Sequence, residues 1–286
     1  MPEYAPREYW TRLAKEYAGA DAAGFAPVLH PDTPTWFNER IDLLQARAWC
    51  KALEMCEVAP RERVLDAGCG TGRWLRRLAD RGLHPVGLDQ SAAMLGLART
   101  AGTTCPLFTA ELQKLPLRDA SFACVCAITV VQHIPDPEQI SALTELARVA
   151  RPGGYLILLE LARGSGLHVF ARSPSEWISQ ARAIGLRLVG CRGQEFLFLD
   201  RAVVGALSLA RRMMGRTKRD GLPAGPVARA PKSGLAQTTR TLYWGMRRIA
   251  IAVSLLFEPA AERALPAHFA THALLIFQKE KATEGR

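Results

Sequence analysis

The hydrophobic pattern of the chain begins at helical spacing and changes partway along. Tyr9, Trp10, Leu13 and Tyr17 form one apolar stripe and Ile41, Leu44, Ala48 and Leu53 a second, so residues 7–58 read as helical. Pro27, Pro31 and Pro34 interrupt them with a loop that ends near Trp36. From Arg63 the rhythm becomes strand, helix, strand. Val64-Leu65-Asp66 is a short strand, followed by a glycine loop and a helix over 73–80 that Gly82 stops. A second strand over 85–88 leads to a helix over 91–99 with Ser91 as its N-cap. Residues 105–108 form a third strand. The run 122–130, rich in Val, Ile and Cys, has the composition of a strand covered on both faces. A helix over 137–149 passes through Arg151-Pro152-Gly153-Gly154 into a strand over 155–160; a helix over 174–183 and strands at 187–189 and 273–277 follow. Strands alternating with helices predict an α/β, doubly wound, mostly parallel sheet. No internal repeat is present, and 221–233, rich in Pro, Gly and Ala, reads as a mobile loop.

Charge adds a feature that this pattern hides. Residues 1–160 hold 17 Lys and Arg against 19 Asp and Glu, whereas 161–286 hold 20 against 8. Between Arg201 and Arg248 eleven basic residues face one acid, Asp220, so the net +10 belongs to one segment. The first residues lack the basic-then-apolar order of a secretory signal. The longest strongly apolar run, 249–257, falls short of the ~20 residues that cross a bilayer. These features predict a cytoplasmic protein, soluble or peripheral at a membrane. The seven cysteines read as reduced, mostly buried thiols. Cys50 and Cys56 are too far apart for a metal knuckle, and Cys124 and Cys126 read as pointing to opposite faces of their strand, so no metal site is expected.

The sharpest chemical signal is Val64-Leu65-Asp66-Ala67-Gly68-Cys69-Gly70-Thr71-Gly72. Glycines after a buried strand let the backbone approach a ligand, and the following helix N-terminus offers free amides and a partial positive charge. Asp89 ends the next strand, about 20 residues on, where an acid can hold both ribose hydroxyls. That much also fits a nicotinamide dehydrogenase. The spacing, however, is G-x-G-x-G rather than G-x-G-x-x-G, with Asp66 two residues ahead of the first glycine. Asp66 would repel a pyrophosphate but can face the ammonium of an amino-acid ligand. A ligand carrying a ribose, an adenine and a zwitterionic tail satisfies all of these groups, and S-adenosylmethionine is such a ligand.

Five blocks in order resemble the class I S-adenosylmethionine-dependent methyltransferases, in the small-molecule branch called type 11. They are 64–72; Gly87-Leu88-Asp89-Gln90-Ser91 with Met94-Leu95; Leu115-Pro116-Leu117 with Ser121-Phe122; Val130 to Ile134; and Arg148-Val149 with Pro152-Gly153-Gly154. The resemblance covers roughly 63–160, and Ala123 departs from it where relatives often carry Asp. It implies a seven-stranded sheet with an N-terminal helical cap (1–60), a cofactor-binding core (61–198), a helical basic insertion (199–265) and a last strand (266–286). It also implies that Asp66 and the backbone of Gly68, Gly70 and Gly72 hold the methionine part and that Asp89 holds the ribose. Gln90 and Met94 would line the adenosine, Glu111 and Leu112 would meet the adenine, and Ala127 would lie against the methionine tail.

Methyl transfer from a sulfonium needs alignment and exclusion of water, with a base only where the acceptor must lose a proton. His133, just after the fourth strand, is the candidate base. Glu160, His168 and Arg172 follow the fifth strand as candidate substrate contacts, while His268 and His272 read as structural. Tyr9, Trp10, Tyr17 and Trp36 suit an aromatic lid, with Tyr17 against the cofactor and Trp36 against the substrate. The basic segment admits three readings: a solvated helical lid, a surface for anionic lipid, or RNA binding, for which aromatics are sparse. The expected reaction is transfer to an oxygen of an apolar or anionic metabolite. The alternatives are N- or C-methylation of a lipid-like substrate at a membrane, a non-catalytic cofactor-binding module, or a nicotinamide oxidoreductase.

Overall fold

A computed structural model describes residues 4–19, 25, 27–30, 33–213 and 234–281. The loop expected over 221–233 lies outside the described residues. Five parallel strands run through the centre: β1 (Arg63–Ala67), β2 (His84–Asp89), β3 (Leu107–Thr109), β4 (Phe122–Ile128) and β5 (Ala150–Leu161). β6 (Leu186–Gln194) and β7 (His272–Lys279) complete a seven-stranded sheet of order β3-β2-β1-β4-β5-β7-β6, with β7 antiparallel to both neighbours. The expected doubly wound sheet is present. β6 is longer than the local pattern at 187–189 suggested, because it pairs with β7 from Leu186 to Gln194.

Helices cover both faces. α3 (Arg73–Ala79) and α2 (Thr35–Met55) pack on one side, where Trp49 and Trp74 meet with ring centroids 5.1 Å apart. α5 (Asp136–Val149) and α6 (Pro174–Ala183) bury Leu143, Leu146 and Trp177 on the other. β4 is buried along its whole length, which explains its unbroken apolar run. Its even positions Cys124, Cys126 and Ile128 share the α2–α3 side, and Val125 and Ala127 face α5 and α6. The expectation for the cysteine pair is therefore corrected. Residues two apart on a strand share a face, and the two sulfurs lie 3.9 Å apart.

The carboxyl ends of the parallel strands are covered by α1 (Pro6–Glu16), whose Leu13 and Ala14 pack with Tyr17 on Met94 of α4 (Ala92–Thr100). Between β6 and β7 the chain forms α7 (Phe198–Met213) and α8 (Gly234–Ala264). A two-bond ion pair, Arg247 Nε and Nη2 to Asp200 at 2.8 and 2.7 Å, joins them. Tyr243, Trp244 and Ile251 of α8 pack with Leu197 on Phe37 and Ile41 of α2. No helix among the described residues is long and apolar enough to cross a membrane.

One carboxylate shapes the turn after β4. Glu160, fully buried at the end of β5, accepts from the amides of Val130, Val131 and Gln132 at 3.2, 3.0 and 3.1 Å. This bends the chain into the short 3-10 turn Val131–His133. Glu160→Ala would leave three amides, two of them buried, without a partner and should cost about 3 kcal/mol, read as a lower denaturant midpoint at unchanged slope.

Candidate active site

The loop after β1 is shaped by left-handed backbone. Gly68, Gly70 and Gly72 have φ of 77°, 51° and 75°. A Cβ on Gly68 would strike the Val130 side chain, and one on Gly70 would lie 2.8 Å from Val28 Cγ1. Only glycine meets both demands. The loop is tied to β2 by Gly68 and Cys69 amides bonding the Leu88 carbonyl at 2.7 and 2.9 Å.

Two carboxylates face this loop in different states. Asp89 accepts from the Gly70 amide at 2.9 Å and the Ser91 amide at 2.8 Å. Burial pushes its pKa up to about 6, and those two amides oppose the rise. Asp66 is only 1% exposed, and neither carboxylate oxygen has a hydrogen-bond partner. Burial pushes it up to about 7; the Arg73 charge opposes this and Asp89 adds to it. An unpartnered buried carboxylate is costly in a folded protein unless something else pairs with it. An ammonium group beside Asp66 and a diol beside Asp89 would complete both, so the residues present fit an amino-acid nucleoside.

The cleft beside the loop is a cavity of about 70 Å³ lined by Gly68, Gly70, Asp89, Met94, Ile128 and Thr129, with Trp10, Val28 and His133 closing it. This is smaller than the ~300 Å³ or more that ligand sites span. Next to the cleft lies a chamber of about 770 Å³ between α1, α2, α7 and the strand ends. Its lining is apolar at Leu13, Leu29, Phe37, Ile41 and Leu161, and polar at His30, Gln45, Glu195, Arg247 and His272. Trp10, Val28, Thr129 and His133 belong to both walls.

Comparison with known proteins agrees with this geometry. Residues 64–154 match the family model described as a methyltransferase domain. In that stretch the chain is similar to the class I S-adenosylmethionine-dependent methyltransferases. That match favours a methyl-donor nucleoside over the nicotinamide alternative. The chain is 37% identical over 115 residues to malonyl-acyl-carrier-protein O-methyltransferase of Serratia marcescens, covering 40% of this chain and 44% of the relative. It is 31% identical over 132 residues to "Probable tRNA methyltransferase 9B" of Bos taurus, covering 46% of this chain and 27% of the relative. The chain thus spans less than half the length of these curated relatives. The solved structure of the cyclase SpnF aligns with a TM-score of 0.53 at 20% identity, covering 82% of this chain and 81% of that one, a likeness of fold.

The structure brings some of the expected residues to the domain's cleft and leaves others away from it. Gly68, Gly70, Asp89 and Met94 line the cleft, whereas Asp66 is buried beside the loop and outside the cleft lining. Gly72 ends the loop as the left-handed N-cap of α3. Tyr17 packs on the far side of Met94, and Gln90 is half-buried outside the cleft lining. Glu111 is exposed and paired with Arg7 at 2.8 Å, while Leu112 is buried in the core. Ala127 also points into the core, because the alternation of β4 turns it toward α5; Ile128 and Thr129 reach the cleft instead.

On the acceptor side His168 lines the chamber and stacks on Tyr9 at 4.6 Å. Glu160 does not reach the chamber, since its oxygens are spent on the turn amides. Arg172 is engaged with Gln139 at 2.5 Å and Asp136 at 2.8 Å, away from the chamber. Trp36 packs on Trp244, and its neighbour Phe37 lines the chamber. His133 donates from Nδ1 to the His168 carbonyl at 2.7 Å, and its Nε2 meets the Gln132 side-chain amide at 3.2 Å. Both ring nitrogens are thus engaged. Burial pushes its pKa down to about 4, against the raising effect of the carbonyl bond. Thr129, at φ of 57°, and the polar group Gln45, Glu195 and His272 carry no local sequence signal and emerge only in the fold.

Asp66 must be ionised to pair with an ammonium, and its pKa lies above the usual carboxylate range. Affinity for S-adenosylhomocysteine should therefore fall as pH drops through about 7, by up to about tenfold per unit. Calorimetry across pH should show this limb in the unmodified chain and its absence in Asp66→Asn.

Proposed function

We propose that this protein transfers the methyl group of S-adenosylmethionine to an oxygen of a small, apolar or anionic acceptor held in the chamber. The observation that carries the reading is the shared wall. A donor in the cleft and an acceptor in the chamber would meet across Trp10, Val28, Thr129 and His133. Displacement at a sulfonium methyl requires in-line contact and dryness, and the aromatic cover of Trp10, Tyr9 and His168 supports both. In this reading Asp66 faces the ammonium, the glycine amides the carboxylate, Asp89 the ribose and Met94 the adenosine. His133 shapes the junction as a neutral ring. α1 and α2 act as the cap, the sheet with α3 to α6 as the donor-binding core, and α7 and α8 as the chamber's outer wall. The mixed apolar and polar lining favours a small metabolite over a nucleic acid, and the O-methyltransferase relative supports oxygen as the acceptor atom.

Calorimetric titration tests the donor half. S-adenosylmethionine and S-adenosylhomocysteine should bind with micromolar dissociation constants, at least about tenfold weaker in Asp89→Ala, with no competition from NADH. Absence of binding by the folded, unmodified chain would overturn the reading.

A second reading, concerning the source of the acceptor, is favoured by the outer face of the wall. Leu242, Ile249 and Leu256 recur at helical spacing on α8 and are 61%, 68% and 76% exposed. They lie in and beside the segment in which eleven basic residues face one acid. Apolar residues flanked by such a charge surplus match an anionic lipid surface. The chain should co-sediment with phosphatidylglycerol vesicles and much less with phosphatidylcholine, and the variant Ile249→Asp/Leu256→Asp should lose about tenfold in partition. Equal partition to both vesicles, or self-association that covers this face in ultracentrifugation, would exclude it.

A further inference from the structure

Five side chains from distant parts of the sequence form one buried polar chain behind the chamber. Arg73, the first residue of α3 after the glycine loop, donates to Asp42 at 3.0 Å and to the Gln45 side-chain oxygen at 2.8 Å. Gln45 Nε2 donates to Glu195 Oε1 at 3.3 Å, and Glu195 Oε2 lies 3.0 Å from His272 Nδ1. All five are buried. Glu195 sits at φ of 63°, a left-handed backbone for a residue that is not glycine, and its carbonyl is held by the amide and hydroxyl of Thr271. Strain and buried charge of this kind are costly, and they concentrate where a site needs them.

The chain ends at the chamber. His272 pairs with Leu161, which places it at the carboxyl end of β5, and both His272 and Glu195 line the cavity. With Nδ1 committed to the carboxylate, Nε2 is the nitrogen left over, and no protein group among the described residues is bonded to it. A carboxylate that fixes the tautomer and supports the charged ring is the arrangement that turns imidazole into a general base.

We propose that His272 and Glu195 are the acid–base pair of the acceptor chamber, which takes a hydroxyl-bearing acceptor, a phenol or enol. The inference rests on the methyl-transfer reading above. The acceptor O–H bond breaks and its proton passes to His272 Nε2. The oxygen lone pair forms the new bond to the methyl carbon, and the carbon–sulfur bond breaks with its electron pair staying on sulfur. S-adenosylhomocysteine leaves, and His272 returns the proton to solvent. Glu195 acts as a positioning residue through the ring.

The charged surroundings separate this histidine from its neighbours. Burial works against protonation of His272, but the Glu195 charge, its hydrogen bond and the Glu160 carboxylate outweigh it and the opposing Arg73, and the pKa is raised. His30 and His133 lie close to the same group, and burial pushes each down to about 4. A ring held at about 4, as at His133, binds a proton too weakly to serve as the base, whereas the carboxylate beside His272 strengthens its hold on one.

The test is imidazole NMR of the full chain carrying 15N-histidine, with His272 assigned by the signal lost in His272→Gln. 4-Nitrophenol, which has a proton to share, should shift the His272 Nε2 resonance, whereas its methyl ether 4-nitroanisole should not. Glu195→Gln should lower the His272 pKa by about one unit or more, and Glu195→Asp should restore most of it. If Glu195→Gln fails to fold, the comparison of phenol with ether on the unmodified chain still decides. The proposal is overturned if 4-nitrophenol moves the His133 resonance instead, or moves none, or if Glu195→Gln leaves the His272 pKa unchanged. S-adenosylhomocysteine binding on the same samples keeps the two readings apart. Retained binding with an indifferent His272 rejects the pair alone, and absent binding rejects methyl transfer.

Discussion

A guanidinium taken out of water at Arg73 is the constraint around which the ligand end of this protein is arranged. Its charge is buried at the start of α3 and must be answered at close range. Asp42 supplies the countercharge and also binds Arg77, while Gln45 carries the polar contact onward to Glu195. Removing any one member would strand the others in a medium where unpaired charge is expensive. α2, α3 and the ends of β6 and β7 are thereby held in one register, and the glycine loop that begins α3 inherits that rigidity. Burial pulls the Arg73 pKa down while Asp42 supports it, a balance that only a closed network sustains.

Three carboxylates stand toward the carboxyl ends of β1, β2 and β5, and hydrogen bonding separates what they can do. Glu160 is saturated by three amides and serves the turn after β4. Asp89 is held by two amides in a pose that still faces the cleft. Asp66 has no partner at all. The histidines behave in parallel: His133 has both nitrogens occupied, and His272 keeps one open toward the chamber.

The helices between β6 and β7 serve two surfaces at once. Arg247 is sandwiched against Phe37 and Trp244, 4.9 and 5.0 Å from their ring centres, while it binds Asp200, so its charge supports the chamber wall. The opposite side of α8 carries its apolar stripe outward. A basic segment with a half-buried, paired arginine and an exposed apolar ridge is more specific than its charge count alone suggests.

The sheet, the order of its elements and the donor loop were legible in the sequence because each depends on local rules. Alternation set the strands, glycine spacing shaped the loop, and Asp66 and Asp89 sit at fixed offsets from it. The one local rule misapplied, at Cys124 and Cys126, fails on the same two-residue period that the strand itself obeys. Glu111, Leu112 and Ala127 were placed by analogy, and in the fold they face solvent or core. The acceptor side was not legible, since Gln45, Glu195 and His272 are separated by up to 227 positions between Gln45 and His272 and no periodicity links them. By itself the chain determined a doubly wound sheet with a glycine loop after its first strand, because short-range backbone geometry is written in neighbouring residues. Only the tertiary structure decided which charged groups are buried together, which are answered and which stay open, because burial and pairing belong to the packed chain and not to any segment of it.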